Sequence, residues 1–189
     1  MSTQINDMAI ALGGNLADPE GSPQANLTRA LVEMAASGLV IRAISRFFAT
    51  PCFPAGAGPD YVNAAAIVRT AEGPRDVLAR LHAIEAAMGR VRTRRWGERG
   101  VDLDLIAAQG AVLPDEATFR HWAGLPPDEQ RRIAPDTLIL PHPRLAERAF
   151  VLVPLADVAP DWVHPVSGLS VRRMLEDLPA GDRADIRAL

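Results

Sequence analysis

From residue 90 to residue 105 the chain reads Arg-Val-Arg-Thr-Arg-Arg-Trp-Gly-Glu-Arg-Gly-Val-Asp-Leu-Asp-Leu. Five arginines and Trp96 stand directly before Asp102 and Asp104. Guanidinium forks grip phosphate oxygens and carboxylates grip a hard divalent cation, so both halves of the equipment for a metal-bound polyphosphate lie together. As a strand, Val101-Asp-Leu-Asp-Leu105 would project both carboxylates from one face, roughly 6.5–7 Å apart over two residue rises. Val101, Leu103 and Leu105 would point the other way, toward a core. Aspartate is depleted in strands and like charges on one face repel, so the pair calls for a neutralising partner such as Mg2+. Taken alone, the aspartates could equally be the wet face of an antiparallel strand and the arginines a solvated turn.

Other segments carry chemistry of the same kind. His142 lies in Leu140-Pro-His-Pro-Arg144, pinned between two prolines, with Arg148 six residues later. Such a histidine is either a donor to a ligand or a structural donor. Tyr61 and Asn63 alternate onto one strand face, where an amide can read the edge of a heterocycle and a ring can stack. Thr50-Pro51-Cys52-Phe53 precedes them in a proline- and glycine-punctuated loop. Glu85 falls on the Leu78 side of a helix, as a wet residue or an inward one. His82, His121 and His164 show no metal-ligand spacing, which argues against zinc.

Composition removes whole classes. At 189 residues the chain suits one domain with a substantial core. All twenty basic residues are arginine; without lysine there is no Walker-A phosphate site and no lysine Schiff base. Cys52 is the single cysteine, which fits a reducing compartment. No apolar run is long enough to span a membrane and no secretory leader is visible, so a cytoplasmic protein without membrane partners is expected. The net charge of −3 argues against a generic nucleic-acid binder. An RNA-binding module stacking Trp96 on a base is the competing reading, but two facing aspartates would repel phosphate without a metal. Oligomeric state stays open between monomer and homodimer.

The elements that must hold these residues follow from period and punctuation. Residues 8–12 read as a buried strand running into a turn at Gly13-Gly14-Asn15. Ser22-Pro23 starts a helix over 23–36, ended by Gly38. Residues 39–49 are β-rich and 61–69 form another strand. A second helix runs over 74–88, with Val77, Leu81, Ile84 and Met88 at helical spacing and Gly89 as its stop. The 101–107 strand follows. Residues 115–136 form a polar excursion with helical patches, 138–140 a short strand, 150–155 an apolar segment, and 171–178 a last helix. Residues 1–179 then make one domain, and the tail over 180–189 is expected to fray. Two strand–helix–strand units predict an α+β sandwich of ferredoxin-like order with a mostly antiparallel sheet.

Taken together and in order, Leu12-Gly-Gly-Asn-Leu16, Thr50-Pro51, Pro59-Asp-Tyr-Val-Asn63, Arg95-Trp-Gly-Glu-Arg99, Val101-Asp-Leu-Asp-Leu105, Pro141-His-Pro-Arg144 and Arg148-Ala-Phe-Val-Leu-Val-Pro-Leu155 resemble the 6-hydroxymethyl-7,8-dihydropterin pyrophosphokinases of folate synthesis. The resemblance implies transfer of the β,γ-pyrophosphoryl unit of ATP to the pterin hydroxymethyl group, with release of AMP. It implies that Asp102 and Asp104 hold two Mg2+ ions. Arg90, Arg92 and Arg99 would act on the phosphates, with Glu85, Trp96, Leu105, His142 and Arg148 completing the ATP site. Thr50, Pro51, Phe53, Tyr61, Asn63, Trp96 and Phe150 would form the pterin pocket. A loop between Gly89 and Gly100 would close over the substrates and exclude water. The 115–136 excursion is longer than compact members of the family need, and the resemblance gives it no role.

Overall fold

The chain's computed structural model describes residues 6–17, 21–52, 58–89 and 100–189. Its sheet is built from β1 (Asn6–Gly14), β2 (Val40–Ile44), β3 (Phe48–Thr50), β4 (Tyr61–Thr70), β5 (Asp102–Ala108) and β6 (Arg187–Ala188). The order is β5-β1-β4-β3-β6, with every pairing antiparallel. Strand β2 pairs with the other half of β4, Ile44 opposite Ala66 and Val40 opposite Arg69. Strands β2 and β3 are therefore two halves of one strand, interrupted where Ser45 turns its hydroxyl to accept the Ala65 N–H at 2.9 Å. With α1 (Pro23–Ala36) and α2 (Pro74–Ala87), this is the expected ferredoxin-like arrangement.

Alternation along each strand sorts the side chains to two faces. Met8, Ile10, Leu12, Ala64, Ala66, Val68, Leu103 and Leu105 meet Leu27, Leu31 and Met34 of α1 and Val77, Leu81 and Ile84 of α2. Helix α1 starts as its sequence predicts: Ser22 Oγ accepts the Ala25 N–H and Pro23 occupies the first turn. Gly38, which follows α1, and Gly89, which follows α2, take positive φ (98° and 83°), the backbone conformation for which glycine has no steric penalty. Strand β1 runs on through Gly13 and Gly14 rather than turning there. Both glycines pair with β4, and Asn15 Nδ2 then reaches the Pro59 carbonyl at 3.3 Å.

The opposite face is covered by α5 (Ala149–Val158) and α6 (Val171–Asp177), which pack Val151, Leu152, Leu155, Val171 and Met174 on Ala9, Ala65, Ile106 and Ala107. The run over 150–155 is apolar on all sides, so its period does not distinguish helix from strand, and Pro154 argues against a helix. Packing on a sheet face rich in alanine decides for a helix. A bidentate ion pair from Arg46 to Asp157, at 2.9 and 2.8 Å, ties this helix to the turn between β2 and β3.

Regular structure extends past residue 179. Residues 180–184 form α7 (Ala180–Ala184), and β6 pairs Ala188 with Phe48 and Arg187 with Ala49. The reason is the open edge of β3, whose backbone groups a tail can satisfy and a sequence pattern does not reveal. The excursion folds as α3 (Glu116–Ala123) and α4 (Pro127–Arg132). Reciprocal backbone bonds between Leu113 and Leu140, at 2.8 and 3.1 Å, close its base.

Leu152 is fully buried between α5 and the sheet. Leu152→Ala should cost about 2–5 kcal/mol and lower the melting temperature by ~2–4 °C for each of those kcal/mol. A melting temperature equal to that of the parent chain in differential scanning calorimetry would refute the packing of α5 as described.

Candidate functional site

A cleft of about 970 Å3 opens on the α5 side of the sheet, and its floor is set by register. Asn63 of β4 pairs with Gly13 of β1, and Gly13 pairs with Asp102 of β5. Ala11, two residues back on the same face, pairs with Asp104. Strands lie about 4.7–4.9 Å apart, so the amide of Asn63 and the carboxylate of Asp102 are based roughly 10 Å apart across a lane of alanine and glycine. The lane is open because its residues are small. A Cβ added at Gly13 would lie 3.1 Å from Asn63 Oδ1.

One end of the cleft is made by Thr50, Pro51, Tyr61, Asn63 and Phe150. Asn63 is buried and its Nδ2 donates to Thr50 Oγ1 at 2.9 Å, which fixes the orientation of the amide. Phe150 is 40 % exposed although it is a large apolar ring, and it faces the cleft. The Arg148 guanidinium carbon lies 5.7 Å from that ring's centroid, within cation–π range. The polar groups and flat rings at this end suit a small heteroaromatic ligand.

The centre carries the charge. Asp102 and Asp104 project into the cleft while Val101, Leu103 and Leu105 join the core, as alternation requires. Phase changes only beyond them, at a bulge where Ile106 is the extra residue of β5, between Leu105 and Ala107. Arg148 stands at the start of α5. Burial pushes its pKa down, while Asp104, and more weakly Asp102, pull it back up against the repulsion of Arg144. Arg148 and the aspartate pair thus lie within each other's field.

His142 is held at two points. Its backbone N–H donates to the Ile106 carbonyl at 2.8 Å, outside the edge of β5, and its Nδ1 accepts the Arg144 N–H at 3.1 Å. Nδ1 is therefore the unprotonated nitrogen and Nε2 carries the hydrogen. Burial, then the charges of Arg148 and Arg144, push the pKa of His142 down to about 3. At neutral pH it is an uncharged donor of fixed tautomer.

Glu85 resolves to the inward alternative. It is 2 % exposed, and its Oε1 accepts the Leu103 N–H at 2.8 Å. Leu103 lies between the two aspartates, so Glu85 holds the stretch of β5 that presents them; the cleft lining itself includes Leu78 and Leu105 but not Glu85. Arg90, Arg92, Trp96, Arg99 and Phe53 lie outside the described residues.

The structure brings together Thr50, Pro51, Tyr61, Asn63, Asp102, Asp104, Leu105, His142, Arg148 and Phe150 from five separate stretches of sequence. Sequence reasoning gave no role to Gly13, although Gly13-Gly14 was a visible signal, nor to Trp122 and residues 133–139, which form the far wall. Their period and composition carry no site signal, and only their position shows the contribution.

Comparisons with known proteins agree with this architecture. The family model described as 7,8-dihydro-6-hydroxymethylpterin-pyrophosphokinase matches residues 9–160. The chain is 35 % identical over 176 residues to the 2-amino-4-hydroxy-6-hydroxymethyldihydropteridine pyrophosphokinase of Synechocystis, covering 93 % of this chain and 77 % of the relative. It is 37 % identical to the protein of the same name from Methylorubrum extorquens, covering 91 % and 94 %. Among solved structures, the wild-type HPPK-DHPS of Plasmodium falciparum superposes with a TM-score of 0.63 at 14 % identity. That match covers 92 % of this chain and 44 % of the longer Plasmodium chain, and it concerns the fold alone. The αβ sandwich, the cleft built on its sheet and the match across residues 9–160 make this chain a member of the 7,8-dihydro-6-hydroxymethylpterin-pyrophosphokinase family.

Proposed function

We propose that the chain transfers the β,γ-pyrophosphoryl group of ATP to the hydroxymethyl oxygen of 6-hydroxymethyl-7,8-dihydropterin, releasing AMP and forming the pterin diphosphate of folate biosynthesis. The observation that carries this reading is the register row Asn63–Gly13–Asp102. That row puts an amide suited to the edge of a heterocycle and a carboxylate pair suited to metal-bound polyphosphate in one cleft, with Gly13 between them.

The roles divide along that row. Asn63, its amide held by Thr50, reads the edge of the pterin, while Tyr61, Pro51 and Phe150 enclose the ring. Phe53 and Trp96 are assigned to the same pocket. Asp102 and Asp104 would hold two Mg2+ ions. The donor set fits: both are hard oxygen donors that line the cleft, and Mg2+ favours one or two carboxylates with its other positions taken by phosphate and water. When bound, such ions supply charge neutralisation and a clamp on the entering and leaving oxygens. The protein's own part is to position and to balance charge. His142 offers its Nε2–H, and Arg148, Arg90, Arg92 and Arg99 offer guanidinium forks to the phosphate oxygens. Glu85 keeps β5 in place and Leu105 forms part of the nucleotide wall. No residue is asked to act as a nucleophile. The RNA-binding alternative gains nothing from a cleft whose centre carries two aspartates.

The first check is the nucleotide product. Incubated with ATP, Mg2+ and the pterin, the chain should yield AMP; ADP as the main product would sink the assignment. Asp102→Asn should lower kcat roughly a hundredfold or more. Its melting temperature should change little, because the repulsion from Asp104 that is relieved offsets the attraction to Arg148 that is lost. Retention of more than half the activity would remove Asp102 from the metal set.

Gly13→Ala tests the lane. The added Cβ presses on Asn63 Oδ1, so the amide must yield by a few tenths of an ångström. We expect kcat/KM for the pterin to fall on the order of tenfold, given that ~1 Å of misplacement can cost about a hundredfold. Unchanged pterin kinetics would show that the amide does not read the ring.

His142 gives a pH signature. Its pKa in the folded chain lies below the ordinary value of 6.5, so the unfolded chain binds the extra proton first as pH falls. The stability it contributes is complete above about pH 6.5 and is lost progressively between 6.5 and about 3. Asn at this position keeps an acceptor for the Arg144 N–H and does not titrate. The ligand-free His142→Asn variant should therefore lose less melting temperature than the parent between pH 7 and pH 4. Parallel curves for the two proteins would place His142 in water.

A further inference from the structure

The cleft does not end at β5. Beyond that edge it is walled by Leu78 of α2, by Trp122 of α3, and by Ile133, Ala134, Pro135 and Thr137 of the chain returning from α4. Most of this wall belongs to the 115–136 excursion or to its return. We propose that the excursion is the outer wall of the nucleoside site, and that Trp122 and Ile133 cover the flat face of the ATP base. The inference rests on the reading of the cleft as the pyrophosphoryl-transfer site and deepens it.

Order across the sheet carries the argument. Thr50 lies on β3, Asn63 on β4, Gly13 on β1 and the aspartates on β5, which is the edge strand. In an in-line transfer the attacking and leaving oxygens flank the transferred group. With the acceptor at Asn63 and the transferred group at Asp102 and Asp104, the AMP half must extend away from Asn63, over the β5 edge. The excursion stands there.

The excursion is also built to be held in place. Asp115 caps α3 by accepting the Thr118 N–H at 2.8 Å, and the Leu113–Leu140 bonds close the base. Phe119 is buried, with its ring centroid 5.4 Å from that of His164, which is itself buried and takes the Val166 and Ser167 N–H groups on Nδ1. One face of α3 thus docks on the loop after α5. Trp122, three residues after Phe119 and so a near neighbour on the helix surface, reaches the cleft. Ile133 is 45 % exposed along the same wall. A half-buried indole, met edge-on by the His121 ring at 5.9 Å, and an exposed branched aliphatic group along one concavity suit a flat aromatic ring, and base-to-aromatic contact is worth about 1–3 kcal/mol.

The test compares ligands with and without a base. Binding of Mg2+-α,β-methylene-ATP and of Mg2+-tripolyphosphate is measured calorimetrically on the parent chain, Trp122→Ala, Trp122→Phe and Ile133→Ser, each with its melting temperature. The expected result for Trp122→Ala is a nucleotide Kd weakened roughly tenfold, corresponding to ~1.4 kcal/mol. The tripolyphosphate Kd and the pterin KM should be unchanged. Trp122→Phe should recover most of the loss, and Ile133→Ser, a change at an exposed position, should weaken nucleotide alone by a smaller factor. Unchanged nucleotide affinity in Trp122→Ala, or in Ile133→Ser should the former fail to fold, overturns the inference. Equal loss for nucleotide and tripolyphosphate overturns it as well. If the parent chain forms AMP and the pterin diphosphate while these variants bind nucleotide normally, this inference fails alone; if the parent forms neither product, the underlying reading fails.

Discussion

Two carboxylates on one face of a β-strand, with leucines on the other, are the constraint around which this protein is arranged. Asp102 and Asp104 repel each other, and a strand tolerates them only where one face is open and an opposite charge is near. Both conditions are met at the start of β5. The cleft leaves the aspartates uncovered by the body of α5, and Arg148 at the start of that helix lies within their field. On the reverse side Leu103 and Leu105 are almost fully buried among α1 and α2 side chains, so the strand cannot slip by one residue without turning leucine into the cleft and aspartate into the core. Glu85 adds a second lock through the Leu103 N–H.

Volume above the sheet comes from small residues. Ala11 and Gly13 separate the aspartates from Asn63, while further along the same face Ala9 and Ala65 lie beneath α5. The same economy serves opposite ends: where helices cover the sheet, alanines let them approach closely, and where nothing covers it, alanine and glycine leave room for a ligand. Cations gather around this space from different elements, with Arg148 from α5 and Arg144 from the Pro-His-Pro loop. His142 joins them as a neutral donor whose tautomer is fixed by a backbone amide. It therefore adds a hydrogen bond without adding a charge that pH could remove in the physiological range.

Much of this was legible in the primary structure because local rules suffice for it. The α1 and α2 helices, their proline starts and glycine stops, and the inward and outward alternation of β5 follow from period and steric preference. The family motif also located Thr50, Tyr61, Asn63, Asp102, Asp104, His142 and Arg148, all of which line one cleft. Other features were illegible for definite reasons. The α5 segment is apolar in every direction and contains Pro154, so no period marks it as a helix. The role of β6 depends on the vacant edge of β3, and Glu85 reads alike as a surface or an interior carboxylate until Leu103 N–H is seen beside it.

The amino-acid sequence by itself determined the chemistry: arginine in place of any lysine, paired aspartates at strand spacing, a histidine between prolines, and the family to which these belong. It also determined which face each strand residue takes, because alternation is a property of the extended backbone. Tertiary structure alone decided which of these groups share a space. Asn63 and Asp102 come to share a cleft only through the register of β1 with both β4 and β5, and Trp122 reaches the cleft only because Phe119 docks its helix on the loop carrying His164. Such distances are set by sheet order and long-range packing, which no local window of sequence contains.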